Sequence, residues 1–224
     1  MTTLRTRTFG SRAALEAALA ARLHGALCAR GASAVMLSGG TTPMSAYAAL
    51  TRAPLAHDDR LHLLFSDERY VPSGTAGSNY YQARALLSAL ALPAESLLQV
   101  RTELPLDEAA AAYERELTQL LSAGVHIGLG LLGLGADGHT ASLFTGADLK
   151  AARGHYALPV QRPDGRAAVS VTPELIATVR EPLFVVAGPE KQAAVARLLG
   201  QDLELTAWRA VQGCESVELW YSPT

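Results

Sequence analysis

The chain has 224 residues, of which 49% are hydrophobic and 18% are charged, as is typical of a globular protein with a sizeable core. This length predicts one compact domain covering residues 1–224. The formal net charge of −2 argues against nucleic acid or an anionic membrane surface as a partner, so any anionic ligand must be bound by local groups.

The N-terminal segment predicts a helix. Ser11 is a suitable N-cap for a helix that runs to about residue 30. Because charged residues such as Glu16 interrupt the alanine-rich segment Ala13–Leu27, that segment is typical of an amphipathic helix and not of a secretory signal. The charge-free stretch Ala123–Ala136 is too short and too rich in glycine to cross a bilayer. We therefore expect a cytoplasmic protein with no membrane partner.

Apolar runs of strand length alternate with helical patterns along the rest of the chain. Strands are predicted at Ser33–Leu37, Leu61–Phe65, His126–Leu134, Tyr156–Val160, Ala167–Val171 and Leu183–Val186. Helices are predicted around Pro43–Leu50, at Tyr80–Leu90 after a Ser78 or Asn79 cap, from an Asp107 cap to about Leu121, and at Glu190–Leu199. This alternation predicts an α/β fold: a single-domain, mainly parallel, Rossmann-like sheet with helices on both faces.

The sequence contains no recognisable motif for a metal site or a catalytic nucleophile. The two cysteines, Cys28 and Cys214, are expected to be buried free thiols, the alternative being one disulfide between them. No set of His, Cys and carboxylate residues has zinc spacing, and no Gly-x-Ser-x-Gly nucleophile elbow is present. The sequence therefore predicts no metal and no organic cofactor.

A first polar cluster follows the strand ending at Leu37. Ligands of parallel sheets bind beyond the carboxyl ends of the strands, which is where Ser38, Gly39, Gly40 and Thr41 lie. The glycines permit close backbone approach, and the next helix offers free N–H groups to an anion. Because the Walker and dinucleotide patterns are missing, the cluster predicts either a phosphate cradle or a tight turn with capping hydroxyls.

Charged residues follow two further strands. Asp67 and Arg69 come directly after a buried strand, where they lie either at the ligand-binding edge or in a solvated loop. Arg166 opens a later strand, and Lys191, one of only two lysines, lies near the start of a helix. A cation there is unfavourable for the helix dipole, which indicates a bound anion. The alternative for both cations is exposure to solvent.

The densest cluster follows the strand that begins at His126. Glycines Gly133, Gly135 and Gly138 surround Asp137 and precede His139. Histidine exchanges protons near neutral pH, and a neighbouring aspartate fixes its tautomer or stabilises the imidazolium. The alternative is an Asp-Gly turn followed by a helix-capping threonine. The density of the motif favours a functional role.

Together these clusters resemble the glucosamine-6-phosphate isomerase/6-phosphogluconolactonase family. The resemblance extends from Ser38 to about Lys191, and it rests on three motifs in the family's order: Ser38–Pro43, Ser66–Arg69 and Gly133–Phe144. Lactonases and deaminases share the Asp-Gly-His element. The continuation Thr140–Phe144 and the cluster Asp67–Pro72 are similar to the lactonase versions.

The resemblance implies hydrolysis of 6-phospho-D-glucono-1,5-lactone to 6-phosphogluconate, the second step of the oxidative pentose phosphate pathway. It implies that His139 is the general base that activates water, with Asp137 in support. A small-molecule sugar phosphate is then the expected partner of a monomer or small homo-oligomer. The residues expected to bind the substrate and its phosphate are Ser38, Gly39, Gly40, Thr41, Asp67, Arg69, Arg166 and Lys191.

The chain departs from the family's pattern in three places. Ala136 stands where lactonases more often have proline, and Gly146 follows Thr145 where the family commonly places a proline. The stretch Val217–Thr224 diverges from the usual ending. Two other functions stay open: an isomerase/deaminase of an amino-sugar phosphate with Asp67 as the proton-abstracting base, and a non-catalytic sugar-phosphate sensor.

Overall fold

The computed structural model describes residues 2–224, and a six-stranded parallel sheet lies at its centre. The strands of these residues are β1 (Thr3–Thr8), β2 (Ser33–Leu37), β3 (Leu61–Phe65), β4 (Asp67–Arg69), β5 (His126–Leu132), β6 (Ala157–Gln161), β7 (Ala167–Val171), β8 (Glu181–Ala187) and β9 (Ser216–Ser222). The central sheet has the order β1-β9-β8-β5-β2-β3, and all of its neighbours pair in parallel. The mainly parallel α/β fold is confirmed.

Helices cover both faces of this sheet, as predicted. They are α1 (Arg12–Leu27), α2 (Thr41–Leu50), α3 (Asn79–Leu90), α4 (Leu106–Ser122), α5 (Gly146–Ala151), α6 (Pro173–Ile176), α7 (Gln192–Leu199) and α8 (Thr206–Val211). One hydrophobic core lies against α1, α2 and α3, and a second contains residues of α4, α7 and α8. Alternate residues of a strand point to opposite faces, so Val35 and Leu37 of β2 enter the first core and Met36 enters the second.

Helix α1 shows how the sequence specifies this packing. Its four leucines, Leu15, Leu19, Leu23 and Leu27, repeat every four residues and are fully buried. Burial stabilises each such side chain by about 1.5–3 kcal/mol. The predicted cap is confirmed, because the Ser11 hydroxyl accepts a hydrogen bond from the Ala14 N–H at 3.2 Å.

Strands β6 and β7 leave the parallel sheet and form a second, antiparallel sheet with β4 in the order β4-β7-β6. Their apolar runs were predicted correctly as strands, but they do not continue the parallel alternation. A short hairpin turn joins β6 to β7, so the two strands pair antiparallel with each other. The small sheet packs on the face that also carries α4.

Several local predictions differ from the structure. Helix α4 begins at Leu106 after Pro105, so Asp107 lies in its first turn, where a carboxylate favours the positive end of the helix dipole, and is not the N-cap. Strand β5 ends at Leu132, and α7 begins at Gln192 after a short 3₁₀ turn. Both cysteines are free, Cys214 being buried and Cys28 half-buried.

Three strands were not predicted from the sequence. Strand β1 is polar and exposed because it forms the edge of the central sheet. Strand β4 has only three residues. The divergent C-terminal stretch forms β9, which pairs with β8 and β1 in the parallel sheet. Over residues 2–224, the structure contains no helix with the length and hydropathy needed to span a membrane.

Candidate active site

A cleft of about 540 Å³ lies at the carboxyl ends of β2, β5 and β8, three neighbouring strands of the central sheet. The chain runs from β2 outward to β3 and from β5 in the other direction to β8, so strand order reverses between β2 and β5. Parallel sheets bind ligands at such a reversal. The cleft walls include Arg12, Ser38, Gly39, Gly40, Thr41, Asp67, Arg69, Gly133, Gly135, His139, Arg162, Gly188 and Lys191.

The turn after β5 presents His139 to the cleft. Gly135 donates its N–H to the His139 carbonyl at 2.8 Å, which closes the turn. Gly138 has a φ of 91°, a conformation that favours glycine, and its carbonyl accepts a hydrogen bond from the Ala207 N–H at 2.9 Å. The start of α8 therefore holds this turn in place.

His139 and Asp137 form a hydrogen-bonded pair. The Nδ1 of His139 lies 2.6 Å from Oδ1 of Asp137, and the exposed fractions of the two side chains are 27% and 57%. Partial burial acts to raise the pKa of Asp137, but hydrogen bonds and the charge of His139 outweigh it and lower the pKa. An ionised carboxylate only accepts hydrogen bonds, so the neutral form of this imidazole carries its proton on Nδ1 and has a free lone pair on Nε2.

The residues that follow His139 connect it to the rest of the site. The ring of Phe144 lies against the imidazole, with the ring centroids 4.3 Å apart. Ser142 is buried, and its hydroxyl donates to Oδ2 of Asp67 at 2.8 Å. No helix begins at Thr140, which is fully buried, so the alternative of a helix-capping threonine does not apply.

Asp67 lies in the wall of the cleft and is almost completely buried. Its Oδ1 accepts hydrogen bonds from the Ser66 hydroxyl at 3.1 Å and from the Asn79 amide at 3.3 Å. With Ser142 on the other oxygen, both carboxylate oxygens have protein donors. The network orients Asp67 in the direction of the cleft.

Glu68, the neighbour of Asp67 in the sequence, has a structural role. Only 2% of it is exposed, and Oε1 accepts from the Arg69 and Asn79 N–H groups. Oε2 accepts from the Ser78 hydroxyl and the Tyr80 N–H. Burial raises the pKa of Glu68, although these hydrogen bonds act in the opposite direction. The carboxylate thus joins β4 to the start of α3.

Replacement of Glu68 by glutamine is expected to destabilise the fold by about 1–3 kcal/mol, because the new amide group must face donors that then lose their acceptor. The free energy of unfolding, measured by urea denaturation, checks this. Glu103→Gln, at an exposed glutamate, is the matched control and should leave stability unchanged. Equal stability of both variants would contradict the assigned role of Glu68.

The turn after β2 leaves backbone donors free at the start of α2. Gly40 has a φ of 104°, and no side chain caps the helix. The hydroxyl of buried Tyr47 donates to the Ser38 carbonyl at 3.0 Å and accepts from the Ser38 N–H at 3.1 Å, while burial raises the pKa of this tyrosine. Tyr47, which sequence reasoning missed, therefore fixes the backbone where it leaves the sheet.

The turn after β8 supplies a cation. Lys191 is half-buried in the cleft wall, and no carboxylate of residues 2–224 forms an ion pair with it. Gly188, with a φ of 109°, donates its N–H to the Ser222 carbonyl at 3.0 Å. Strand β9 thereby positions the turn that carries Lys191.

The structure brings most of the predicted site residues to this cleft. The β2 turn, Asp67, Arg69, His139 and Lys191 all line it, and Asp137 contacts His139 from outside it. Arg166 lies elsewhere: its side chain is 66% exposed and pairs with Asp164 at 2.8 Å. Two of the arginines that line the cleft were not predicted from the sequence. They are Arg12, at the start of α1, and Arg162, in the turn that joins β6 to β7.

The proline that the resemblance leads one to expect near Gly146 is replaced by a different stabilising feature. The Thr145 hydroxyl accepts from the Asp148 N–H at 3.1 Å, and the Asp148 carboxylate accepts from the Thr145 N–H at 2.8 Å. This capping box starts α5 without a proline.

Within residues 2–224, no cluster of three or more His, Cys, Asp or Glu side chains has the geometry of a metal site.

A family model described as glucosamine-6-phosphate isomerases/6-phosphogluconolactonase matches residues 10–219. The chain belongs to this family. The predicted resemblance is thus confirmed, and it extends beyond the segment in which the motifs lie.

Several relatives of this family cover most of the chain. A 6-phosphogluconolactonase from Synechocystis sp. is 35% identical over 82% of this chain and 78% of its own length. The crystal structure of the 6-phosphogluconolactonase from Thermotoga maritima has a TM-score of 0.80 at 28% identity and covers 99% of this chain and 100% of its own. The structure of devB protein has a TM-score of 0.87 at 26% identity, covering 98% of this chain and 97% of its own.

Proposed function

We propose that this protein hydrolyses 6-phospho-D-glucono-1,5-lactone to 6-phosphogluconate. The observation that carries the proposal is the His139–Asp137 pair, which leaves Nε2 of His139 free in a cleft that also contains an uncapped helix N-terminus and Lys191. The names of the relatives support the same substrate. A base and an anion-binding site in one cleft are what a phosphorylated lactone requires.

The base acts on water. Nε2 of His139 takes a proton from water as the oxygen attacks the lactone carbonyl, and the imidazolium then returns that proton to the departing ring oxygen. The ester C–O bond breaks, and the products are a carboxylic acid, which ionises, and a hydroxyl group. Asp137 stabilises the imidazolium through the hydrogen bond at Nδ1.

The phosphate is assigned to the other side of the cleft. The free N–H groups at the start of α2, with the hydroxyl of Thr41, donate to its oxygens. Lys191 supplies a point charge, and Arg69 lines the same cleft with a buried Nε that has no acceptor among residues 2–224. These groups give a net-acidic protein a local site for a dianion.

The function is tested with freshly prepared 6-phosphogluconolactone, with subtraction of its spontaneous hydrolysis. We expect enzymatic acid release and no ammonia from glucosamine 6-phosphate. Ammonia release with background lactone hydrolysis would favour the deaminase with Asp67 as base. Binding of sugar phosphates without turnover of either substrate would favour a sensor.

Replacement of Lys191 by alanine is expected to raise KM by about tenfold or more, because a charge-assisted hydrogen bond to phosphate is lost, while kcat stays close to wild type. Steady-state kinetics over a range of lactone concentrations check this. Lys150→Ala, at the other lysine of the chain, is the matched control and should leave KM unchanged. A fall in kcat alone would remove Lys191 from phosphate binding.

A further inference from the structure

We propose that Arg162 binds the carboxyl end of the ligand, both the oxygen that becomes charged during hydrolysis and the carboxylate of the product. The proposal rests on the proposed function, because it assigns a group to one end of that substrate. Arg162 follows the last residue of β6 and lines the cleft. Its side chain is only 18% exposed.

Arg162 lies on the same side of the cleft as the base. Its guanidinium carbon is 5.3 Å from the centroid of the Phe144 ring, and this ring in turn contacts the imidazole of His139. Phe144 therefore connects the arginine to the base. Apart from Arg69 of β4, the groups assigned to phosphate come from the turns after β2 and β8. Arg162 instead contacts Phe144 beside the base, so we assign it to the end where the ester is cleaved.

The guanidinium is available for a ligand. Its Nε lies 3.4 Å from Oδ2 of Asp164, a long contact, and no group of residues 2–224 accepts a hydrogen bond from its two terminal nitrogens. The cation–π contact with Phe144 holds the guanidinium beside this ring without using its hydrogen-bond donors. A fixed planar fork matches the geometry of a carboxylate.

Arg166, in the same hairpin, differs from Arg162 because its guanidinium donates hydrogen bonds to a carboxylate of the hairpin. Both its Nε and its Nη2 donate to Oδ2 of Asp164, at 3.2 and 2.8 Å. The hydrogen bond from Arg166 lowers the pKa of Asp164 to about 2. Asp164 is thus held mainly by Arg166. Arg162 contacts it only through Nε and keeps its two terminal nitrogens for the cleft.

Ester hydrolysis creates negative charge at the end of the ligand to which Arg162 is assigned. The lactone carbonyl is neutral, but negative charge develops on its oxygen in the tetrahedral intermediate and remains on the product as a carboxylate. A cation beside the base stabilises both charged species more than the neutral substrate, so it increases kcat and also strengthens product binding.

The test compares Arg162→Gln with Arg166→Gln, two identical changes in one hairpin. Binding of two probes is measured by calorimetry: 6-phosphogluconate, which has a phosphate and a carboxylate, and glucose 6-phosphate, which has only the phosphate. Arg162→Gln is expected to weaken 6-phosphogluconate about tenfold or more and to leave glucose 6-phosphate unchanged. Arg166→Gln should leave glucose 6-phosphate unchanged and weaken 6-phosphogluconate less than Arg162→Gln does, because Asp164 loses one partner while Arg162 keeps its charge. Arg162→Lys should give an intermediate affinity for 6-phosphogluconate.

Equal weakening of both probes by Arg162→Gln would move Arg162 to the phosphate and overturn the proposal. So would unchanged binding of 6-phosphogluconate, or equal effects of the two glutamine variants. Melting temperatures of all variants identify a loss of the hairpin, and the lysine variant then decides the point by restoring the charge. Because binding needs no turnover, a wild-type protein that fails to hydrolyse the lactone overturns the proposed function without deciding the role of Arg162.

Discussion

The His139→Ala variant is expected to hydrolyse 6-phosphogluconolactone with kcat reduced about 10²–10⁴-fold, the usual contribution of a positioned acid–base group. KM should change little, because the groups assigned to phosphate come from other turns of the cleft. The base is lost while Asp137 and the fold of the turn remain. Initial rates, corrected for spontaneous hydrolysis, measure the effect.

A matched control is available on β5, the strand that precedes the His139 turn. His126 is exposed at the opposite end of β5, so His126→Ala should keep the wild-type kcat. Asp137→Asn should lower kcat less than His139→Ala, since the base remains and only its orientation and charge support are weakened. If His139→Ala kept full kcat, His139 would not be the base.

The fold was largely predictable because its central strands are continuous apolar runs. Strands β2, β3 and β5 are buried on both faces, and a short apolar run followed by turn residues is typical of such a strand. Edge strand β1 has an exposed, polar sequence, so no local pattern marks it. Its pairing with β9 joins opposite ends of the chain, a contact that depends on the finished sheet.

The site was predictable where it lies in one turn. Asp137 and His139 are two residues apart, so their contact follows from local geometry. By contrast, the hydrogen bond from Ser142 to Asp67 joins residues 75 positions apart. Whether Arg162 or Arg166 faces the cleft depends on the twist of the β6–β7 hairpin and on the Asp164 contacts, neither of which is visible in the sequence.

The Gly135→Ala variant is expected to lose about 10²-fold or more in kcat, although it changes no group that reacts. A Cβ at Gly135 would overlap Nδ1 of His139 and Oδ1 of Asp137, the two atoms of the hydrogen bond that joins the proposed base to its partner. The pair must separate or turn, and a displacement of about 1 Å is sufficient for a loss of that size. Glycine is therefore required here because the dyad occupies the space of a side chain.

Gly133→Ala separates this effect from the general cost of a substitution in the turn. A Cβ at Gly133 meets no atom within 4 Å, and both glycines lack the positive φ that would strain an alanine. Gly133→Ala should thus keep a kcat close to wild type, with a similar melting temperature for both variants. A fully active Gly135→Ala enzyme would mean that catalysis does not need the Asp137–His139 contact. If only Gly135→Ala loses kcat, the rate depends on where the base is held as well as on its presence.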